Sequence, residues 1–161
     1  MKLITFPVPC YNSAAYMDHC IETLLTAGED AEIILVDDGS KDDTGKIADS
    51  YAEKYPTIVR VIHQENGGHG EGVNQGIRNA TGVYFKVVDS DDWLDTDALQ
   101  KALAELRAHL NDEHPLDLMM ANYVYEHVAD NTRNIVDYKG ILPEGRVFTW
   151  QEIGKFPPNK N

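Results

Sequence analysis

The run Val87-Val88-Asp89-Ser90-Asp91-Asp92-Trp93 places three carboxylates within four positions, directly after an apolar pair. Carboxylates this close repel one another unless a cation sits among them. Hard divalent ions such as Mg²⁺ and Mn²⁺ use one or two carboxylates and complete their shell with water and substrate phosphate oxygens. An ion so held stabilises a departing phosphate. The competing reading is a solvated acidic turn before a helix cap.

Three other apolar runs also end in polar clusters: Val8-Pro9-Cys10-Tyr11-Asn12, Ile34 to Ser40, and Val61 to Gly68. In Asp37-Asp38-Gly39-Ser40, one carboxylate suffices to cap the turn. The second then needs donors from a ligand, such as a nucleobase imide or ribose hydroxyls. The Gly-rich stretch Gly67 to Gly76 follows the third apolar run rather than the first and lacks both G-x-G-x-x-G spacing and a P-loop Lys-Ser/Thr pair. It fits a loop packed near a diphosphate. His69 in it reads as exposed, with phosphate contact as the sharper alternative. Asn74 and Arg78 lie on the helix that follows. Lys86, inside an apolar run, calls for either an ion pair or a ligand, and Trp93 reads as core or rim packing. There is no nucleophile elbow, no His-x-x-x-His and no zinc-type cysteine spacing.

The elements that would position these clusters alternate in type. Lys2 to Val8 reads as a strand. A helix capped by Asn12 or Ser13 follows, with Met17, Cys20, Ile21, Leu24 and Leu25 on one face and Gly28 at its stop. Ile33 to Val36 has the continuous apolar character of a strand buried on both sides. A second helix carries Ile47, Ala48, Tyr51, Ala52 and Tyr55 inward and ends at Pro56. Ile58 to Ile62 is a third strand, Val73 to Ala80 a short helix, and Val83 to Val88 a fourth strand. Thr96 caps a longer helix with Leu99, Ala102, Leu103, Leu106 and Leu110 inward. Beyond Pro115, Leu116 to Tyr125 and Asn134 to Tyr138 read as strands, and Thr149-Trp150-Gln151-Glu152 has capping-box spacing. This alternation predicts an α/β fold with a mostly parallel sheet and helices on both faces. In such sheets ligands bind outside the strand carboxyl ends, where the four clusters fall.

The 161 residues are 42% hydrophobic, enough for one core, and carry a formal charge of −13. That charge opposes an electrostatic grip on nucleic acid or anionic lipid. Cys10 and Cys20 read as reduced, buried thiols. No run reaches membrane-spanning length, and Pro7 and Pro9 interrupt the short N-terminal apolar segment, so a cytoplasmic location is expected.

The four clusters, in this order and approximate spacing, resemble the family 2 glycosyltransferases of the GT-A fold. The carrying segments are VPCYN, VDDGSKDDT, ENGG with NQGIRNATG, and VVDSDDW, densest from Leu3 to Leu94. The resemblance implies metal-dependent, inverting transfer of a sugar from a nucleoside diphosphate sugar, UDP favoured, to an acceptor hydroxyl on a glycan or lipid-linked acceptor. It implies that Pro9 and Tyr11 line the base pocket and that Asp38 accepts a hydrogen bond from the base. Asp89, Asp91 and Asp92 match the family's DXD-like element for ribose and metal, with Asp91 and then Asp92 as ligands of Mn²⁺ or Mg²⁺. Asn12, Asn66, Gly67, Asn74 and Ser90 complete the implied donor site. A role in cell-surface glycan synthesis, and peripheral attachment to the inner face of a membrane through a C-terminal part, accord with the family.

Two features depart from the pattern. Many members carry Ala-Arg-Asn where this chain has Gly72-Val73-Asn74, and Pro-Val-Tyr where it has Pro9-Cys10-Tyr11. An inverting displacement also needs a general base. None of Asp117, Asp130 and Asp137 stands out for it. A helix signal at Thr149 shortly before the last residue, Asn161, suggests that the single GT-A domain expected over 1–161 is part of a longer protein, inactive alone. A nucleotidyltransferase is the alternative enzyme, but the loop Cys10 to Ser13 lacks the Gly, Lys or Arg of a triphosphate loop. A domain that only binds the donor is the non-catalytic alternative.

Overall fold

The computed structural model describes residues 1–127, 130, 132–138, 142 and 145–153. The chain divides into two compact units, Met1–His109 and Leu110–Asn161.

The first unit is built on four parallel strands: β1 (Ile4–Cys10), β2 (Ala31–Asp37), β3 (Val59–His63) and β4 (Tyr84–Phe85), in the order β3-β2-β1-β4. Every residue of β1 and β2 is buried, which explains their unbroken apolar character. Phe6, Val8, Ile33 and Leu35 are wholly inaccessible. Around the strands lie α1 (Met17–Leu25), α2 (Thr44–Lys54), α3 (His69–Asn79) and α4 (Thr96–Ala108).

The helices occupy both faces. Paired residues of parallel strands point to the same side, so Thr5, Pro7 and Pro9 share a face with Glu32, Ile34 and Val36. α3 covers that face through bare glycine backbone. A Cβ on Gly72 would meet the Pro9 ring at 3.0 Å, and one on Gly76 would collide with the Pro7 ring. The opposite face receives α1, through Met17, Cys20, Ile21 and Leu24, and α2, through Thr44 and Ala48. Under α3, Glu32 Oε2 accepts from Thr5 Oγ1 and from the Thr81 amide, both at 2.8 Å, while Arg60 pairs with Oε1 at 2.8 Å. A buried carboxylate needs such partners. Here they tie β1, β2, β3 and the approach to β4 together.

Several expected boundaries shift for physical reasons. α1 begins at Met17, not at Asn12 or Ser13. Both side chains are engaged elsewhere, with Asn12 Oδ1 accepting from the Lys41 amide and Ser13 Oγ from the Tyr11 amide. α4 is capped by Asp95, whose carboxylate accepts from the Ala98 amide at 2.8 Å, and not by Thr96. The expected fourth strand shrinks to two residues, although the Lys86 and Val88 amides still reach the Thr5 and Pro7 carbonyls. Lys86 is exposed there and needs no buried partner.

In the second unit, β5 (Tyr123–His127) and β6 (Thr132–Val136) form an antiparallel pair, and α5 spans Trp150–Ile153. Leu116 to Asn122 does not join β5. The Thr149 amide donates to Glu152 Oε2 at 2.7 Å, the bond the capping-box spacing predicts. The end of the chain, Phe156 to Asn161, lies outside the described residues. No helix among the described residues is long and apolar enough to cross a membrane.

Candidate functional site

The chain runs β1 to β2 to β3 in one direction and then crosses back to place β4 on the other side of β1. Such a reversal opens a crevice at the strand carboxyl ends. A cleft of about 450 Å³ lies there, within the range of small-molecule sites. The end of β1 lines it with Pro9, Cys10 and Tyr11, and the end of β2 with Asp38. The segment after β3 adds Asn66, Gly68, His69 and Gly72, and the segment after β4 adds Asp89, Ser90 and Asp91.

The two adjacent carboxylates at the end of β2 divide their tasks. Asp37 Oδ1 accepts from the Ser40 amide at 3.0 Å, which closes the turn, and Oδ2 meets His63 Nδ1 at 2.9 Å. Burial acts to raise the Asp37 carboxyl, but the bonds from Ser40 and His63 outweigh it and hold the group below its ordinary value. Asp38 looks the other way. Its Oδ1 accepts from Gln64 Nε2 at 2.6 Å and the Gly67 amide at 2.7 Å, and its Oδ2 from the Gly68 amide at 2.8 Å. Burial opposes ionisation here too, and the same three donors prevail, so Asp38 is also held below its ordinary value. A carboxylate has about four lone-pair sites, so Oδ2 keeps one acceptor position. The turn itself requires Gly39, at φ 71°, where a Cβ would lie 2.9 Å from the Asn66 amide nitrogen.

The loop after β1 is fixed by hydroxyls. Asn12 adopts φ 52°, a left-handed conformation that Asn tolerates. Its amide donates to Ser40 Oγ at 3.1 Å. Ser13 is fully buried; its amide donates to Thr44 Oγ1 at 2.7 Å, and its Oγ lies 2.8 Å from Ser90 Oγ.

The acidic loop after β4 follows. The Asp92 amide donates to the Asp89 carbonyl at 2.9 Å, closing a turn that brings Asp89 and Asp91 to the cleft. Asp89 Oδ1 meets His69 Nε2 at 2.7 Å. Desolvation, then the charges of Asp91 and Asp89, push the Asp92 carboxyl up. Burial, then the charges of Asp92, Asp91 and Asp89, push the neighbouring Cys20 thiol up to about 12. Burial likewise raises the Cys10 thiol, so both cysteines are inert. Among the described residues, no group of three His, Cys, Asp or Glu side chains gathers as a closed metal site. The all-oxygen donors and crowded negative charge of this loop are nevertheless of the kind that suits a hard divalent ion on one or two carboxylates.

Of the residues expected at the site, Pro9, Tyr11, Asp38, Asn66, Asp89, Ser90 and Asp91 come together around one cleft. Asn12, Gly67, Asn74 and Asp92 are not among its lining residues. Asn12 and Gly67 act behind it through the bonds already given, and Asn74 Nδ2 bonds Glu71 Oε2 at 3.1 Å. Cys10, Gly68 and Gly72 line the cleft without having been expected there, and His69, read as exposed with phosphate contact as the sharper alternative, lines it too. The glycines had a signal in the Gly-rich stretch. The pairing of His69 with Asp89 had none, because the two lie 20 positions apart. Trp93 is exposed, its ring 5.0 Å from that of His19.

Comparison with known proteins agrees with this fold. Residues 5–114 match the model of glycosyl transferase family 2. The chain therefore belongs to that family. It is 37% identical over 154 residues to EpsJ of Bacillus subtilis, described as an uncharacterised glycosyltransferase, covering 95% of this chain and 42% of EpsJ. It is 37% identical over 112 residues to chondroitin synthase of Escherichia coli, covering 69% and 16%. Among solved structures, S. aureus TarS 1-349 in complex with UDP aligns with TM-score 0.60 and 31% identity over 68% of this chain and 33% of that one. The mannosyltransferase PcManGT of Pyrobaculum calidifontis, in complex with GDP-Man and Mn²⁺, aligns with TM-score 0.56 and 26% identity over 62% and 31%. The fold is thus the GT-A α/β fold, and the chain spans less than half the length of these relatives.

Proposed function

We propose that this chain is the donor-binding part of a glycosyltransferase that takes a nucleoside diphosphate sugar, with UDP as the favoured nucleotide. The observation that carries this reading is the meeting of Tyr11, Asp38, Asp89 and Asp91 around one cleft at the point where the sheet reverses order. TarS bound to UDP and PcManGT bound to GDP-Man support a nucleotide in the corresponding crevice.

In this reading Pro9 and Tyr11 flank the base, and the remaining acceptor position on Asp38 Oδ2 takes its imide N–H. Asp89 accepts from ribose hydroxyls. Asp91, with Asp92 as the second candidate ligand, would hold a Mn²⁺ or Mg²⁺ ion, which would supply positive charge to offset that developing on a departing nucleoside diphosphate. Ser13 and Ser90 hold the two loops in register, so that base and metal positions keep a fixed separation.

Inversion requires a base to deprotonate the acceptor hydroxyl. In the second unit Asp130 Oδ1 is taken by the Thr132 amide and hydroxyl, and Asp137 Oδ1 by Asn122 Nδ2 at 3.1 Å. Asp117 is exposed, and nothing about its setting recommends it. We assign the base to a part of the protein outside these residues. Residues 1–161 alone then bind donor and transfer little or no sugar. The acceptor is a hydroxyl of a glycan or lipid-linked glycan, and the cytoplasmic face of a membrane is the proposed place of action.

Calorimetric titration of UDP with and without Mn²⁺ tests the donor site. The reading expects metal-dependent binding that Asp91→Ala abolishes. Silence with both UDP and GDP, or binding indifferent to metal and to Asp91→Ala, overturns it.

A further inference from the structure

We propose that His69 is a direct diphosphate contact of the cleft, its Nε2–H passing from Asp89 to a phosphate oxygen when a nucleotide's ribose takes Asp89. The inference rests on the donor-site reading above and deepens it.

It begins with the charge of the cleft. Asp38, Asp89 and Asp91 line it, and no Lys or Arg is among its lining residues. A diphosphate entering such a site meets like charge on several sides, so every available donor counts. The lining side-chain donors can be taken one at a time. Asn66 Nδ2 is committed to the Asp38 carbonyl at 3.0 Å, and Cys10 Sγ to the Val8 carbonyl at 3.3 Å. Ser90 Oγ is held in the buried pair with Ser13. Tyr11 belongs to the base end in this reading. His69 remains.

Its ring is exposed and its bond to Asp89 Oδ1 is 2.7 Å. A carboxylate only accepts, so Nε2 carries the hydrogen. Asp89 makes no other side-chain hydrogen bond among the described residues, so the pair is free to exchange partners. Ribose hydroxyls donate to Asp89 and replace what His69 gave it. The released N–H then faces an anion. The setting favours this, because His69 is the first residue of α3, where unpaired amides and the helix dipole attract negative charge. Gly68 and Gly70 beside it have open space where a side chain would stand, so a phosphate can approach.

The test separates this role from that of a brace for Asp89. UDP and uridine are titrated in the presence of Mn²⁺ into wild type, His69→Ala and His69→Gln. The inference expects His69→Ala to weaken UDP about tenfold or more, to leave uridine unchanged, and His69→Gln, which keeps an N–H donor, to recover most of the loss. UDP affinity unchanged in His69→Ala overturns it. So does an equal weakening of UDP and uridine, which would make His69 only a support for Asp89. Wild type that binds no UDP overturns the donor-site reading and this inference with it, whereas wild-type binding with an indifferent His69→Ala overturns this inference alone.

Discussion

Ser13 Oγ and Ser90 Oγ lie 2.8 Å apart in a buried pair that ties the loop after β1 to the acidic loop after β4. The two residues are 77 positions apart, so no local propensity creates this contact. Asp89 and Asp91 flank Ser90, so the pair helps to fix where they stand relative to Tyr11. Ser90→Ala should cost about 1 kcal/mol in chemical denaturation and reduce UDP affinity severalfold. Unchanged stability together with unchanged affinity would show that the loop is held by other means.

Asp38 is the acceptor for Gln64 and for the Gly67 and Gly68 amides. Replacing it by Ala leaves those donors unsatisfied where the Gly-rich segment enters α3. A loss of about 3 kcal/mol or more is expected, together with loss of nucleotide binding. Asp37→Ala should destabilise while leaving more of the binding, because its partners are Ser40 and His63. Equal effects on binding would contradict the division of tasks between these neighbours.

His63 bridges Asp37 at 2.9 Å and Asp49 at 3.1 Å. The bond to Asp37, then the one to Asp49, raises its pKa. A raised histidine contributes stability that is complete below its unfolded value of about 6.5 and lost as pH rises through the higher folded value. Asp37, held low, contributes above its unfolded value of about 3.9 and loses that contribution as pH falls through the lower folded one. The pair therefore stabilises most between about pH 4 and 6.5. Denaturation of wild type and His63→Gln at pH 6 and pH 8.5 checks the alkaline side. The gap between the two proteins should narrow at the higher pH, and a constant gap would contradict the assignment.

Gly76 and Gly70 lie on the same helix and should respond oppositely to alanine. At Gly76 a Cβ collides with the Pro7 ring on β1, while at Gly70 it meets open space. Gly76→Ala should destabilise by about 1–3 kcal/mol through overpacking. Gly70→Ala should stabilise by up to about 1 kcal/mol, since alanine is the better helix former. Thermal melts of the two variants decide it, and shifts of the same sign would contradict the close seating of α3 on β1.

Much of this architecture is legible along the chain, and what is not has a common cause. Ile33 to Val36 announces a central parallel strand because burial on both faces leaves no polar position. Asp89, Asp91 and Asp92 announce a site because close carboxylates need a reason. The cap of α1 is hidden. Asn12 and Ser13 are good local caps, but Ser40, Lys41, Thr44 and Ser90 claim them across the fold. β4 is shorter than its apolar run, since it pairs with β1 alone and Phe85 and Lys86 stay exposed. The pairing of His69 with Asp89 is silent in the sequence for the reason that hid the cap: the two groups are distant along the chain.

The central claim is that a nucleoside diphosphate and its metal sit between the ends of β1 and β4. Crystals of the chain grown with UDP and Mn²⁺, measured for the anomalous signal of manganese, test it most directly. The account predicts a manganese peak in direct coordination with Asp91, the diphosphate beside it and uracil against Tyr11. Nucleotide bound elsewhere, or UDP in the cleft with its metal away from Asp91 and Asp92, would contradict it.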